Sequence, residues 1–135
     1  MIVKCIANDG QGFSEKTIVN LKNTKDATTP LKVGENYVVY GQMIYKEVLN
    51  YLIIGTYENL PTWYPAEVFE VISPLMYYES YYMYGKDPFI NAVWGFKELV
   101  FNADYIYNLV EREDIAIKIF LKRKKEIDEF EHELS

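Results

Sequence analysis

Residues 61–72 constrain the fold more than any other stretch of this sequence; they read Pro-Thr-Trp-Tyr-Pro-Ala-Glu-Val-Phe-Glu-Val-Ile. Pro65 has a fixed φ and favours an extended conformation for Tyr64, so a strand should end at Tyr64. Residues 66–68 are predicted to form a single 3₁₀ turn. A second strand is predicted after the turn, and Pro74 ends it. Phe69 and Ile72 should seal the core of the all-strand part, and Glu70 and Ser73 should face away from Phe69, Val71 and Ile72.

Several further segments have the composition of β-strands. They are residues 2–7, 36–45, 48–57 and 77–84, and the turns predicted between segments fall at residues 8–12, 46–47, 58–61 and 85–88. Residues 13–21 are ambiguous, and we favour a loop or a short extended piece around residues 17–19. Residues 22–30 are polar and are predicted to form a surface loop.

Two motifs together are similar to a known family. The first is Gly-x-x-Tyr-x-Val at residues 34–39, and the second is Trp-Tyr-Pro-x-x-x-Phe at residues 63–69. The second resembles the closing segment of Src-homology-3-like barrels. With the hydrophobic strand between them, the two motifs resemble short bacterial cytoplasmic proteins, some of which are immunity proteins of polymorphic toxin systems. The resemblance covers residues 31–72 and, more loosely, the helical tail. The resemblance implies a small, partly open SH3-like β-barrel and a role in binding a toxin. The acidic loop and paired tryptophans of eukaryotic peptide-binding domains are missing, so Pro-rich ligands are not implied.

The last third of the chain is predicted to be mainly helical. Phe89, Val93, Phe96 and Val100 have the spacing of one helix face, with Asp87 as a candidate N-cap, whereas residues 90–94 also fit a strand. We favour a helix over residues 95–102, and leave residues 85–95 open. A short helix capped by Asp104 should reach Val110, and a long one should follow over residues 113–133. Its apolar face carries Ala116, Ile119, Phe120, Ile127 and Phe130.

The expected fold class is therefore α+β. Residues 1–84 should form the barrel, and residues 85–135 a helical C-terminal extension whose apolar face packs on the barrel or on a second subunit. The two parts should make a single structural unit, because 135 residues suit one domain.

Composition narrows the classes of function. The net charge is −6 and the pI about 4.8, which disfavours nucleic-acid binding and favours basic partners. Cys5 is the only cysteine, so no internal disulfide forms and a reducing cytoplasm is the expected location. The N-terminal residues turn polar too soon for a signal peptide, and no run of about 20 apolar residues predicts a membrane span.

Candidate catalytic and metal-binding groups are few. His132 lies in an acidic run near the end, and Cys5 lies in an apolar strand where a buried, inert thiol is the simpler interpretation. Glu67 and Glu70 are a pair of acids, but such pairs are common on surfaces. One cysteine and one histidine do not suffice for zinc, and we expect no metal or cofactor. The four basic residues at 122–125 are consecutive on a helix, so their side chains project around most of its circumference and do not form one patch. They should form ion pairs with neighbouring acids.

Tyrosine is the unusual feature, with thirteen copies in the chain. These side chains either fill space between barrel and helices or form a contact surface, since tyrosine and tryptophan are enriched at interfaces. The contact surface would suit a basic protein, such as a nuclease toxin, because acids steer cationic partners. Its aromatic members would be Tyr51, Trp63, Tyr64, Tyr78 and Tyr82, edged by Glu58, Glu67 and Glu79.

These observations favour a non-enzymatic protein-binding module, and most concretely an immunity protein that neutralises a partner toxin. Two alternatives stay open. One is a structural or regulatory adaptor of phage or mobile-element origin that binds a peptide or assembles with itself. The other is an enzyme that relies on carboxylates and tyrosines alone.

Overall fold

The computed structural model describes residues 1–21 and 29–134, and over these the chain folds as α+β with two antiparallel sheets and a C-terminal helix. The strands are β1 (Ile2–Cys5), β2 (Asn36–Val38), β3 (Gly41–Tyr45), β4 (Val48–Ile53), β5 (Thr62–Pro65), β6 (Phe69–Ser73), β7 (Tyr81–Tyr84) and β8 (Ile90–Gly95). The helices are α1 (Glu15–Asn20), α2 (Lys97–Phe101), α3 (Tyr105–Val110) and α4 (Asp114–Leu134).

The two sheets divide the strands unevenly. The smaller sheet has the order β2-β1-β6, and the larger has the order β5-β4-β3-β8-β7. The small sheet packs on the β4–β5 part of the large one, where Val3, Tyr51, Tyr64 and Phe69 are buried in one cluster. Helices α2, α3 and α4 pack on the opposite face of the large sheet, around a second cluster that includes Phe120. The large sheet is thus the central layer of the molecule.

Residues 36–45 form two strands rather than the single strand predicted. The chain leaves the small sheet after β2, passes through the buried residues Val39 and Tyr40, and enters the large sheet as β3. Gly41 begins β3 beneath helix α2, and a Cβ atom there would lie 2.5 Å from Leu99 Cδ2. A larger residue at position 41 would therefore force the Leu99 side chain to shift, and glycine allows the close approach of the strand and the helix.

Residues 61–72 have the predicted local structure. Strand β5 ends at Pro65, residues 66–68 form a 3₁₀ turn, and β6 follows. Phe69 is buried at 7% exposure, whereas Ile72 is 49% exposed, so the expectation that both side chains seal the core is wrong for Ile72. Among the described strands β6 pairs only with β1, and an edge strand leaves part of its apolar surface in solvent.

Residues 85–95, left open by the sequence, contain strand β8. Asp87 does not cap a helix; its carboxylate accepts hydrogen bonds from the backbone N–H groups of Phe89 and Ile90, at 2.7 and 2.8 Å. Strand β8 then lies between β3 and β7. This buried position favours a strand, although Val93 and its neighbours also have helical spacing.

The helices agree with the sequence in part. Helices α2, α3 and α4 lie close to their predicted positions, but the side chain of Asp104 makes no capping hydrogen bond. The preference for a loop or an extended piece at residues 13–21 was wrong. Ser14 caps α1 there by accepting a hydrogen bond from the Thr17 N–H at 3.3 Å. Of the loop predicted at residues 22–30, residues 22–28 lie outside the described part of the chain.

Helix α4 buries the apolar face predicted for it. Ala116, Phe120 and Ile127 are buried, and the Phe120 ring lies edge-on to Tyr40 with centroids 5.4 Å apart. Arg123 fixes the helix to α2 through a two-pronged ion pair with Glu98, both bonds being 2.7 Å. This face of α4 packs against buried residues of the large sheet, such as Leu52 and Val93.

Candidate functional site

A single cross-strand row runs across the large sheet and contains three of the predicted contact residues. Tyr82 lies opposite Trp94, Trp94 opposite Gln42, Gln42 opposite Tyr51, and Tyr51 opposite Tyr64. Residues directly opposite in neighbouring strands project from the same face, so these five side chains share one side of the sheet.

Only one end of this row is exposed. Tyr51 and Tyr64 are each 5% exposed and lie beneath the small sheet, so the expectation that they form part of an exposed surface is wrong. Burial raises the pKa of both phenols, and in Tyr64 a hydrogen bond to Glu58 adds to the effect. At the other end Tyr82 is half exposed and its ring lies 5.0 Å from that of Trp94.

Glu58 stabilises the turn between β4 and β5 through hydrogen bonds. Its carboxylate accepts hydrogen bonds from the Gly55 N–H at 3.0 Å, the Thr62 hydroxyl at 2.9 Å and the Tyr64 hydroxyl at 2.6 Å. These bonds fix the loop and engage both carboxylate oxygens. The residue predicted to edge a contact surface is therefore a structural group here.

Trp63 and Glu67 lie apart from the exposed end of the row. Trp63 alternates with Tyr64 along β5 and packs against the helix-facing core. Within the described residues its buried indole N–H has no hydrogen-bond acceptor. Glu67 is exposed in the 3₁₀ turn and accepts a hydrogen bond from the Ser14 N–H at 2.8 Å. Neither residue joins Tyr82 at the far edge of the sheet.

Exposed aromatic side chains concentrate at strand β7, which pairs only with β8 among the described strands. Tyr84 is 78% exposed and lies on the same face as Tyr82, two residues away. Tyr81 points to the other face and contacts Phe101 of α2, with ring centroids 5.5 Å apart. Of the tyrosines in β7, only Tyr82 was predicted to belong to the contact surface. Tyr84 could also have been predicted, because side chains two residues apart in a strand project from the same face.

A second aromatic group precedes β7. Tyr77, Tyr78 and Phe130 form three mutual ring contacts, with centroids 4.6 to 6.1 Å apart and interplanar angles of 53° to 72°. Tyr78 is 75% exposed, as expected for a contact residue. Phe130 comes from α4, where helical spacing indicated a core position. Its contact with residues 77–78 depends on the tertiary fold, and no local pattern would have found it.

These three rings line a groove that also carries carboxylates. The groove has a volume of about 360 Å³, and its acidic residues are Glu79, Glu126, Glu129 and Glu133. Glu79 was predicted to edge the contact surface and is exposed here. We name this site the acidic–aromatic groove. The pKa of Tyr77 lies above its ordinary value, mainly because of the adjacent Tyr78 hydroxyl, with smaller effects from burial and from the Glu126 and Glu79 carboxylates.

Two residues of the basic run at 122–125, Arg123 and Lys124, form ion pairs with acids three and four residues further along the helix. Arg123 binds Glu98 and Glu126, and Lys124 binds Asp128 at 2.6 Å. These contacts neutralise much of the run on the helix surface.

Cys5 and His132, two of the groups considered for catalysis, lie in different elements. Cys5 is buried in β1, where desolvation raises the pKa of its thiol and disfavours the reactive thiolate. His132 is exposed in the last turn of α4. Within residues 1–21 and 29–134 no three Cys, His, Asp or Glu side chains cluster in a way that would hold a metal ion.

Comparison of the chain with known protein families, with curated proteins and with solved structures found no match. Among the described helices, none is both long enough and apolar enough to cross a membrane.

Proposed function

We propose that this chain is a non-enzymatic, cytoplasmic protein-binding module, and most concretely an immunity protein that neutralises a basic toxin. The observation that carries the proposal is the concentration of exposed tyrosines on β7, together with the exposed Tyr78 of the acidic–aromatic groove in the segment just before it. Tyrosine offers a large contact area with a polar tip and little entropy to lose, which suits a protein interface. The immunity role rests on the resemblance of residues 34–39 and 63–69.

A partly open SH3-like barrel is the finer fold that we propose within the α+β class. In its support, β5, the 3₁₀ turn and β6 follow the order of the closing segment of such barrels. Between β5 and β6 the chain also passes from the large sheet to the small one, where β6 pairs with β1.

A basic partner fits the charge of the chain. The net charge is −6, and the acids of the groove lie beside the exposed Tyr78. Acidic rims accelerate the approach of a cationic partner, and aromatic side chains then slow its release. A nuclease has a basic surface because it binds nucleic acid, so a nuclease toxin is the partner class that we propose.

Purification of the tagged chain from its native host tests the proposal. We expect a basic protein, encoded beside this chain, to copurify in stoichiometric amount, to arrest growth when expressed alone, and to be neutralised by coexpression of this chain. Replacing both Tyr82 and Tyr84 by Thr should weaken the complex at least tenfold, since interface tyrosines commonly contribute about 2 kcal/mol. Tyr57→Thr is the matched control, because Tyr57 is exposed in the turn between β4 and β5.

Two results would count against an immunity role. One is the absence of any stoichiometric protein partner in the native host. The other is a partner that the Tyr82/Tyr84 double variant and the Tyr57 variant bind equally well.

A second candidate function is an adaptor that binds an extended peptide or a second copy of itself. The open edge of β7 favours it, because an edge strand offers unpaired backbone groups to another strand. Sedimentation distinguishes the two: a stable homo-oligomer in which Tyr84 becomes protected from chemical modification favours the adaptor, whereas a monomer favours the immunity protein.

A further inference from the structure

The acidic–aromatic groove has the chemistry of a site for one cationic side chain. We infer that it holds a lysine or arginine side chain of the partner, and this inference rests on the proposed function. The groove lies between residues 77–79 and the last turns of α4, so it is formed by two segments far apart in the sequence.

Ring geometry is the first argument. The three rings are steeply inclined to one another, with interplanar angles of 53° for Tyr77 and Tyr78, 72° for Tyr77 and Phe130, and 60° for Tyr78 and Phe130. Rings inclined in this way contact one another edge to face, and Tyr78, which is 75% exposed, still offers an open, electron-rich ring face at the groove. An ammonium or guanidinium group is attracted to such faces, and several rings around one cation are a common arrangement in proteins.

Charge is the second argument. Glu79, Glu129 and Glu133 are exposed at the groove, whereas Glu126 is shared with Arg123 at 3.1 Å. No lysine or arginine is among the residues that line the groove in the described part of the chain. The groove therefore combines an excess of negative charge with apolar ring surface, which fits a side chain that has an apolar stem and a cationic end.

Alternative occupants fit less well. A metal ion needs several converging ligands, and no suitable group of three is present within residues 1–21 and 29–134. A neutral apolar ligand would leave the exposed carboxylates without compensation. The volume of about 360 Å³ exceeds what one lysine or arginine side chain fills, which leaves space for the adjoining backbone of a partner.

Titration of the full chain with short capped peptides tests the inference directly. The probes are acetyl-Gly-Arg-Gly-amide and its Lys analogue; the controls replace arginine by citrulline, which has the same shape without the charge, and lysine by acetyl-lysine. Aromatic NMR signals of Tyr77, Tyr78 and Phe130 should shift saturably with the charged probes only. Raising the salt concentration should weaken the binding, because the carboxylates are exposed.

Two variants separate the contributions of ring and charge. Tyr78→Leu should weaken arginine binding about two- to fivefold through loss of one ring face, and Tyr57→Leu should leave it unchanged. Glu129→Gln should reduce the salt dependence. Tyr78 is 75% exposed, so its variant should remain folded, and thermal unfolding verifies this.

Equal binding of the citrulline probe would overturn the inference, as would saturable shifts confined to other aromatic residues or no saturable shift at all. Different results would contradict the immunity role and the cation site. Peptide binding without any protein partner in the host would contradict the immunity role and leave the cation site standing. A partner whose affinity is unaffected by Tyr78→Leu and Glu129→Gln would contradict the cation site alone.

Discussion

The two ends of the cross-strand row in the large sheet differ in burial. Tyr51 and Tyr64 at one end are buried under the small sheet, whereas Trp94 and Tyr82 at the other end are half-buried and half-exposed. All four project from the same face of the large sheet. The same residue type is thus core at one end of a row and surface at the other, and its distance from the small sheet decides which.

The boundary between the two ends falls at Gln42. Its side-chain amide contacts the Met76 sulfur at 3.5 Å, and Met76 packs against the buried cluster below the small sheet. Beyond Gln42, β8 and β7 continue the large sheet. A five-stranded sheet faced by a three-stranded one leaves part of that face uncovered, and the exposed tyrosines lie on the uncovered part.

The largest expected effect comes from truncating the two ends of the row separately. Tyr51→Ala should lower the free energy of unfolding by about 3–5 kcal/mol, because a buried ring leaves a cavity next to Phe69. Tyr82→Ala should cost about 1 kcal/mol, because it loses only the contact with Trp94. Urea denaturation of both variants measures the difference.

Equal losses in the two variants would contradict the division of the row. A large loss for Tyr82→Ala alone would mean that something covers the open half in solution. A small loss for Tyr51→Ala alone would mean that the small sheet does not pack on the large one as described.

A smaller effect is expected from removing one hydroxyl at the covered end. Tyr64→Phe should cost about 1.5 kcal/mol, because the Glu58 carboxylate loses a charge-assisted hydrogen bond of 2.6 Å in the interior. Tyr82→Phe is the matched control at the open end and should change the stability little.

Tyr64→Phe should also change how the free energy of unfolding depends on pH under alkaline conditions. Burial, and then Glu58, raise the pKa of Tyr64 in the folded state above the value of about 10 for an unfolded tyrosine. The stability that depends on the neutral phenol is therefore fully present below pH 10 and is lost above it. The difference between wild type and Tyr64→Phe should be constant up to about pH 10 and then shrink. A constant difference beyond that pH would contradict the raised pKa.

Local structure followed largely from the sequence. Pro65 predicted the turn between β5 and β6, and the apolar spacing in α4 predicted both the helix and its buried face. Each of these depends on residues close together in the chain. The predictions for Ile72 and for residues 13–21 were wrong because edge position and helix capping outweighed composition there.

The candidate site was less accessible to sequence reasoning. Alternation assigns Tyr51 and Tyr82 to strand faces, but it does not say which face a second sheet covers. Tyr78 and Glu79 were found from composition, whereas Tyr77 and Phe130 meet only because α4 returns across the sheet. Contacts between distant segments carry no local signal, and both the burial of Tyr51 and the acidic–aromatic groove depend on such contacts.

The smallest expected effect on stability separates folding from binding at the open end. Tyr84→Thr should change the free energy of unfolding by no more than about 0.5 kcal/mol, because the ring is 78% exposed and threonine keeps a preference for strands. Urea denaturation gives this value, and the affinity for a partner is measured on the same preparation. If replacing Tyr84 leaves the free energy of unfolding unchanged but weakens the complex, the function of the side chain is contact with another molecule. A loss of stability well above that limit would instead identify Tyr84 as a packed residue and extend the covered half of the sheet to its last strand.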